Sequence, residues 1–271
     1  MATSEAPGDA LAGIGLAGRG AVITGGGRGI GAAVARVLAE AGAGVVVAAR
    51  SRDQLEAVAG DLRDDGHTAH AVACDVADPE SVAALRRAAE EKLGTVDVLV
   101  NNAGIAASAS LQAIRLEDWN RIQAVNATGT FLCTQAFLPA MAERGWGRVV
   151  NVASVAGKAG APYISAYAAS KHAVVGFTRA IAAEVARTGV TVNAVCPGYV
   201  ETDMAVMAVD RIVEKTELTP EEAHQAIAKM SPQQRVLEVE EVAYQVLVLC
   251  DPRARGVTGQ ALVLDGGGLQ S

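Results

Sequence analysis

The sequence predicts an α/β protein with one doubly wound parallel sheet of about seven strands and helices on both faces. Short runs rich in β-branched residues alternate along the chain with longer stretches of helical periodicity, a pattern typical of repeated strand-helix-strand units. The composition agrees, because 51% hydrophobic residues with 3% aromatic residues and 29 glycines favour buried strands packed closely against helices.

The predicted strands start with the run GAVIT and end with ALVLDGG. They cover residues 20–24, 44–50, 69–76, 96–101, 147–154, 190–197 and 261–267. The main predicted helices lie between them, over residues 29–41, 79–93, 118–143 and 166–187. Ligands of such sheets bind beyond the carboxyl ends of the strands, so functional residues are expected there.

The domain boundaries follow from where this pattern starts and where it is interrupted. Residues 1–15 are predicted to be a flexible tail, and residues 16–271 a single domain of the Rossmann type. Residues 203–235 depart from the alternation with two short amphipathic helices, which predicts a helical lid over a substrate. A surface decoration is the alternative interpretation of this segment.

Charge and cysteine usage narrow the class of protein. The net charge of -7 is spread along the chain without a cluster of Lys and Arg, which argues against a nucleic-acid or anionic-membrane surface. The amino terminus lacks the features of a signal peptide or membrane span, so a cytoplasmic protein is predicted. The cysteines lie in apolar segments without zinc-like spacing and are predicted to be buried, reduced thiols that bind no metal; they are Cys74, Cys133, Cys196 and Cys250.

A glycine-rich motif, TGGGRGIG at residues 24–31, joins the first predicted strand to the first helix. Gly25, Gly29 and Gly31 permit a tight turn and a close approach of backbone N–H groups to a pyrophosphate at the helix amino terminus. Glycine turns also serve for packing alone, but the position after the first strand favours a dinucleotide site.

The end of the second strand indicates which dinucleotide is bound. Many such sites place an acid there for the ribose hydroxyls, whereas this chain has Ala49 followed by Arg50, with Arg28 inside the glycine motif. Two guanidinium groups can bind a 2'-phosphate, so NADP(H) is predicted over NAD(H). The alternative is that both arginines are ordinary surface charges.

A candidate acid-base pair lies in the stretch PYISAYAASK. Tyr167 and Lys171 are four residues apart and therefore share one helix face, whereas Tyr163 has no such cation. Lys171 is expected to lower the pKa of Tyr167 toward neutrality, as a general acid or base requires. Ser154, at the end of the fifth predicted strand, is expected to hold the substrate oxygen, and Tyr163 to form a wall of the substrate pocket.

Two further elements complete the predicted site. The motif NNAG, residues 101–104, ends the fourth predicted strand. Asn126, in the long helix that follows, is expected to hold a water connecting Lys171 to solvent, with a core polar group as the equal alternative.

These motifs together resemble those of the short-chain dehydrogenase/reductase family. They occur in the family's order from about residue 18 to about residue 268. The matching elements are TGGGRGIG, CDV with Asp75, NNAG, Asn126, Ser154, the Y-x-x-x-K of Tyr167 and Lys171, PG at 197–198 with Thr202, and VTGQALVLDGG.

The resemblance implies roles for the matching positions. It implies a catalytic tetrad of Asn126, Ser154, Tyr167 and Lys171. The implied cofactor-binding residues are Gly25, Arg28, Gly29, Ile30, Gly31, Arg50, Asp75, Val76, Asn102, Ala103, Gly104, Tyr167, Lys171, Pro197, Gly198, Val200 and Thr202. It also implies a homotetramer that pairs the two long helices.

The implied activity is an NADP(H)-dependent interconversion of a ketone and a secondary alcohol. The chain looks closest to 3-oxoacyl thioester reductases and polyketide ketoreductases. Relatives that act on carrier proteins commonly have basic residues where this chain has Leu132 and Ala183, so a coenzyme A thioester is favoured over a carrier-bound one. The alternatives are a dehydrogenase of a cyclic or aromatic secondary alcohol and a nucleotide-sensing protein without catalysis.

Overall fold

A single parallel sheet of seven strands runs through the protein in the order β3-β2-β1-β4-β5-β6-β7. The computed structural model describes residues 14–269, so the predicted tail lies almost entirely outside the described residues. The strands are β1 (Gly20–Thr24), β2 (Gly44–Ala49), β3 (Ala69–Ala73), β4 (Val98–Asn101), β5 (Gly147–Val152), β6 (Val190–Pro197) and β7 (Ala261–Leu264). The strand order reverses between β1 and β4, which opens a crevice at their carboxyl ends. The predicted fold class is confirmed.

Helices cover both faces of the sheet. They are α1 (Gly29–Glu40), α2 (Arg52–Asp64), α3 (Pro79–Leu93), α4 (Leu116–Gln123), α5 (Gly129–Glu143), α6 (Ser165–Glu184), α7 (Asp203–Val213), α8 (Pro220–Ala228) and α9 (Val239–Cys250). Successive residues of β1 face opposite layers. Ile23 belongs to the core cluster that includes Leu38 and Leu247, whereas Val22 belongs to the cluster that includes Leu85 and Phe137. The strands are therefore uniformly apolar because both of their faces are buried. All four cysteines are buried free thiols, as predicted.

The third and last strands are shorter than predicted, because an aspartate just after each strand accepts backbone N–H groups and forms a turn. β3 stops at Ala73, and the Asp75 carboxylate then accepts the N–H of Ala77 at 3.0 Å, which turns the chain out of the sheet. β7 stops at Leu264, and the Asp265 carboxylate accepts three backbone N–H groups between 2.7 and 3.0 Å. Both aspartates form local turns, and the periodicity of the strands gave no sign of them.

The segment 203–235 forms the two helices that the sequence predicted, α7 and α8. They pack on each other through a small cluster of their own, which contains Val209, Ala223, Ile227 and Val236. We call residues 203–235 the lid segment. Within residues 14–269, none of the helices combines the length and the apolar character that crossing a bilayer requires.

Candidate active site

The glycine motif forms a tight turn between β1 and α1. Gly25 and Gly29 have φ angles of +65° and +52°, in the left-handed region that favours glycine. The side-chain amide of Asn102, which directly follows β4, donates to the carbonyl oxygens of Thr24 and Gly25, each at 3.1 Å. A Cβ at Gly31 would collide with the carbonyl of Gly25. Two strands at the crevice thus hold this turn in place.

The first turn of α1 fits a bound pyrophosphate. Among the residues that the structure describes, no side chain caps this helix end and no acidic residue lies in its first turn. The initial N–H groups of a helix lack intrahelical partners and carry positive partial charge. With Gly29 and Gly31 leaving the backbone uncovered, these N–H groups suit the phosphates of a dinucleotide.

The two arginines expected at a 2'-phosphate lie at the same edge of the sheet. The N–H of Gly26 donates to the carbonyl of Ala48 at 3.2 Å, which places the end of β2 and the exposed Arg50 beside the glycine turn. The Arg28 guanidinium, however, forms an ion pair with Asp203, the first residue of α7. The sequence gave no sign of this partner.

The residues predicted to contact the adenine and the central part of the cofactor lie just after β3 and β4. Val76 is buried, and a Cβ on Gly129 of α5 would lie 2.7 Å from its side chain. The N–H groups of Asn102 and Ala103 each donate to the Thr24 hydroxyl at 3.1 Å. Gly104 reaches the catalytic region, since a Cβ there would lie 3.5 Å from the Lys171 Nζ. A continuous path therefore leads from the glycine turn to Lys171.

The loop after β6 closes the crevice on the other side. Gly198 donates its N–H to the carbonyl of Leu264 at 2.7 Å, and a Cβ on Gly29 would lie 3.3 Å from Thr202. Thr202 is therefore in contact with the glycine turn. Val200 forms an isolated bridge with Leu237 and its side chain joins the core, so any contact it makes with a cofactor would use its backbone.

Ser154 lies two residues beyond the end of β5, which is shorter than predicted because a 3₁₀ turn (Val155–Gly157) begins there. Its hydroxyl accepts the N–H of Ala156 at 3.1 Å and lies 3.4 Å from the carbonyl oxygen of Pro197. A Cβ at Gly157 would lie 2.7 Å from the Lys171 carbonyl oxygen, so only glycine lets this turn pack against α6. Ser154 is thereby held beside both α6 and the loop after β6.

Tyr167 and Lys171 occupy the first two turns of α6, on one face as predicted. The Tyr167 side chain lies close enough to Ser154 for this residue to lower its pKa. The Lys171 Nζ lies 5.7 Å from the centroid of the Tyr167 ring and donates to the carbonyl of Val152 at 2.8 Å. Tyr163 lies in the preceding loop, with its side chain 67% exposed. Tyr167, unlike the exposed Tyr163, therefore lies near both Ser154 and Lys171.

The protonation of this pair differs from the sequence-based expectation. Burial raises the pKa of the Tyr167 phenol, and the interaction with Ser154 only partly opposes this effect. Burial also lowers the pKa of Lys171 to about 8. The prediction that Lys171 lowers the pKa of Tyr167 is therefore wrong, because burial raises that pKa and Ser154, not Lys171, partly offsets the rise. Tyr167 remains a neutral phenol at pH 7 and is suited to donate a proton.

Asn126 lies in a π-helical turn, Ala124–Thr128, that interrupts the single helix predicted over residues 118–143. Its side chain accepts the N–H of Ile105 at 2.8 Å and donates to the carbonyl of Ile105 at 2.9 Å and to the Ser170 hydroxyl at 3.0 Å. The amide thus ties the loop after β4 to α6. Such turns widen the helix and alter backbone hydrogen bonding, often at functional sites.

A buried polar network behind the site was not predicted. The Asn101 side-chain amide donates to Thr134 at 3.0 Å and to the Asn151 side-chain oxygen at 2.8 Å, and Asn151 donates to Thr178 at 2.9 Å. The network connects α5 to α6 through β4 and β5. Its only sequence signal is polar residues within otherwise apolar strands, which buried strands tolerate only when these residues are hydrogen-bonded.

The arrangement can move a proton at a carbonyl or hydroxyl oxygen. Ser154 and Tyr167 lie near each other, with the buried ammonium of Lys171 on the same helix as Tyr167 and the uncapped amino terminus of α1 in the same crevice. Within residues 14–269, no three His, Cys, Asp or Glu side chains cluster as a metal site would need. Such a constellation defines an oxidoreductase that uses a nucleotide cofactor.

The family follows from comparison with known proteins. Residues 19–212 match the family model of the short chain dehydrogenases. The chain belongs to this family of oxidoreductases, as the motifs predicted.

Three similar proteins illustrate the range of the family. The crystal structure of an actinorhodin polyketide ketoreductase variant with NADPH has a TM-score of 0.90 and 43% identity, over 92% of this chain and 97% of that one. The 3-oxoacyl-(acyl-carrier-protein) reductase FabG of Vibrio cholerae is 39% identical over 93% of this chain and 98% of its own length. D-beta-hydroxybutyrate dehydrogenase of Rhizobium meliloti is 36% identical over 91% of this chain and 97% of its own length.

Proposed function

We propose that this protein is an NADP(H)-dependent ketoreductase that acts on a 3-oxoacyl thioester or a related ketone. The observation that carries the proposal is the convergence of Ser154, Tyr167 and Lys171 beside the glycine turn. Each residue alone has a structural explanation, but together they present a proton donor, an oxygen-binding hydroxyl and a cation at one place.

The proposed roles follow from the contacts. When bound, the nicotinamide supplies or accepts the hydride. The Ser154 hydroxyl orients the substrate oxygen, and the phenol of Tyr167 donates its proton to that oxygen as negative charge develops there. The ammonium of Lys171 stabilises the phenolate that remains, and it would also hold the nicotinamide ribose when the cofactor is bound. Asn126 holds the loop around Ile105 against α6, which keeps this side of the site in place.

The preference for NADP(H) rests on charge at the end of β2. Ala49 stands where an acid would repel a 2'-phosphate, and Arg50 lies exposed beside the glycine turn. Arg28 becomes available to the phosphate once it leaves Asp203. The NADPH complex of the actinorhodin ketoreductase supports this choice of nucleotide by similarity.

The substrate class rests on the apolar rim of the crevice. Tyr163 and Tyr199 are 67% and 44% exposed, and Met204 and Met207 of α7 are also exposed. Arg211 donates to the carbonyl of Ser108 at 3.0 Å, so α7 lies across from the loop after β4. A rim of aromatic and methionine side chains suits an acyl chain.

The choice of coenzyme A over a carrier protein rests on the surface of α5 and α6. Leu132 replaces a basic residue and lies at a surface cavity of about 530 Å³, which Arg86, Arg87 and Glu90 of α3 also line. Arg86 is engaged by Glu90 at 2.8 Å. Leu132 and Ala183 add no positive charge to α5 and α6, so an acidic carrier protein would gain less attraction there than from basic residues at these positions.

A cyclic or aromatic ketone is the second candidate substrate. Two tyrosines at the rim, Tyr163 and Tyr199, can stack on a ring, and the similar ketoreductase named for actinorhodin polyketides supports this option. Reduction of such a ketone would use the same proton donor, Tyr167, and the same hydride from the nicotinamide. Selectivity between acyl thioesters and cyclic or aromatic ketones would therefore depend on the side chains that line the outer part of the crevice.

The test is a steady-state assay that follows NADPH absorbance with 3-oxoacyl-CoA esters, matched carrier-protein thioesters, cyclic ketones and aromatic ketones. We expect the highest kcat/KM with a 3-oxoacyl-CoA ester, and a lower kcat/KM when NADH replaces NADPH. A value with NADH equal to or above that with NADPH would contradict the cofactor assignment. Tight NADPH binding without turnover of any ketone would favour a nucleotide-sensing role.

A homotetramer is part of the proposal. Phe131 of α5 is 42% exposed and packs edge-on against Phe177 of α6, with ring centroids 6.2 Å apart. An aromatic pair on the two long helices suits a helix-pairing interface. Light scattering during size-exclusion chromatography would give the mass, and a monomer at micromolar concentration would contradict the expectation.

A further inference from the structure

The ion pair between Arg28 and Asp203 connects two functional regions. Arg28 is the N-cap residue of α1, inside the glycine motif, and Asp203 is the first residue of α7 in the lid segment. The two positions are 175 residues apart in sequence. A Cβ on Gly29 would lie 3.3 Å from Thr202, so the residues that precede Asp203 run close beside the glycine motif.

This ion pair is placed where it can be exchanged. The Arg28 and Asp203 side chains are 61% and 63% exposed, so water solvates both charges. Exposed ion pairs of this kind contribute little to folding stability. A second anion near Arg28 can therefore replace the carboxylate without disturbing the core.

A 2'-phosphate is such an anion. It carries more charge than a carboxylate and presents several oxygens to a guanidinium, which binds both groups in the same fork geometry. The two acceptors compete for one side chain. The carboxylate is part of the protein, so its local concentration is high and any phosphate contact must displace it.

We propose that Asp203 sets the selectivity between NADP(H) and NAD(H) by competing with the 2'-phosphate for Arg28. The proposal rests on the proposed use of NADP(H). The competition affects only NADP(H), because NAD(H) has no 2'-phosphate that could bind Arg28. The native chain therefore binds NADP(H) less tightly than its arginines alone would allow, and its preference for that nucleotide is moderate.

The same exchange changes what holds the lid segment. When Arg28 turns to a phosphate, Asp203 loses its partner on the body of the protein. It remains in the first turn of α7, where a negative charge is favourable beside the helix amino terminus. Helix α7 thus stays folded while one of its contacts with the glycine motif is released.

The test measures dissociation constants by the fluorescence of NADPH and NADH in wild type, Asp203→Asn and Asp210→Asn. Asp210 is an exposed acid on the same helix, so its substitution removes the same charge away from Arg28. For Asp203→Asn we expect NADPH to bind about two- to fivefold more tightly, a range that corresponds to the free energy of an exposed ion pair. NADH binding should stay unchanged, and Asp210→Asn should leave both nucleotides unchanged.

The outcomes separate the possible explanations. Weaker binding of both nucleotides to Asp203→Asn would overturn the proposal, because it would mean that the pair closes over the cofactor. An equal gain in Asp210→Asn would also overturn it, since net charge would then suffice. In an Arg28→Gln background, Asp203→Asn should have no effect on NADPH affinity, and a persisting gain would contradict competition for Arg28. If wild type does not bind NADPH, the proposed function fails instead.

Discussion

The sheet body and the lid segment are built differently. In the body, central strand residues such as Val22 and Val100 are completely buried, and helices cover both faces. In the lid segment, α7 and α8 share a small cluster around Val209 and Ile227, while Met207 and Met230 remain more than half exposed. The body has a large core on each face of its sheet, whereas the lid segment has a minor core of its own.

Their polar contacts differ in the same way. In the body, Asn101 and Asn151 are hydrogen-bonded inside the sheet. Contacts between the lid segment and the body include two exposed pairs, Arg28 with Asp203 and His224 with Glu201, the latter at 2.7 Å. Well-buried elements open only with the whole protein, whereas segments with few buried contacts open locally. We infer that the chemistry depends on the body and the selectivity on the lid segment and the rim.

The largest effect is expected from Tyr167→Phe, in the body. Removing the proton donor should lower kcat by about 10²- to 10⁴-fold, while the dissociation constant for NADPH changes little. Steady-state kinetics and nucleotide titration would measure both. Tyr244→Phe is a matched control, since Tyr244 lies 53% exposed on α9. A Tyr167→Phe enzyme with wild-type kcat would remove the proposed mechanism.

The next largest effect is expected for the buried network. Asn151→Leu leaves one N–H of the buried Asn101 amide without an acceptor, which costs about 1–3 kcal/mol, and removes one of the two hydrogen bonds of Thr178, which costs about 0.5–1.5 kcal/mol. Urea unfolding should show a loss of about 2–4 kcal/mol in the free energy of unfolding.

The matching substitution in the lid segment is His224→Gln, which breaks an exposed pair. It should change the free energy of unfolding by less than about 1 kcal/mol. Equal losses in Asn151→Leu and His224→Gln would show that the two regions do not differ as described.

A smaller effect is expected for stability against pH. Because burial lowers the pKa of Lys171 to about 8, the unfolded chain binds a proton that the folded protein has released between that value and the ordinary 10.5. Through this group, stability therefore rises with pH across that window and is lost again as the pH falls toward 8. The free energy of unfolding of wild type, minus that of Lys171→Met, should rise by about 1 kcal/mol from pH 8.5 to 9.5. A constant difference would contradict the lowered pKa.

The smallest effect is expected at the rim. Tyr163 has a φ angle of +69°, and its carbonyl accepts the N–H of Ala109 at 2.8 Å. Tyr163→Gly suits that backbone, so stability should stay within about 0.5 kcal/mol of wild type while the side chain is lost. We expect KM to rise roughly two- to tenfold with a small change in kcat. A fall in kcat as large as that of Tyr167→Phe would mean that Tyr163 takes part in proton transfer.

Local signals made much of the fold predictable. The first and sixth strands and the helix over residues 79–93 have the predicted bounds, since apolar runs and a capped start with Asp78 and Pro79 define them. The interruption of the long helix at Asn126 was missed, because the partners of that amide in the structure, Ile105 and Ser170, are distant in sequence and leave no local pattern.

The sequence by itself determined the order of strands and helices, the glycine turn and the spacing of Tyr167 and Lys171, because each depends on residues that are close along the chain. Only the tertiary structure decided the charge states of that pair, since burial depends on how β5, α6 and the loop after β6 pack together. It also decided the partner of Arg28. A charge on a flexible side chain pairs with whichever acid the fold brings near, and here the fold brings Asp203 of the lid segment.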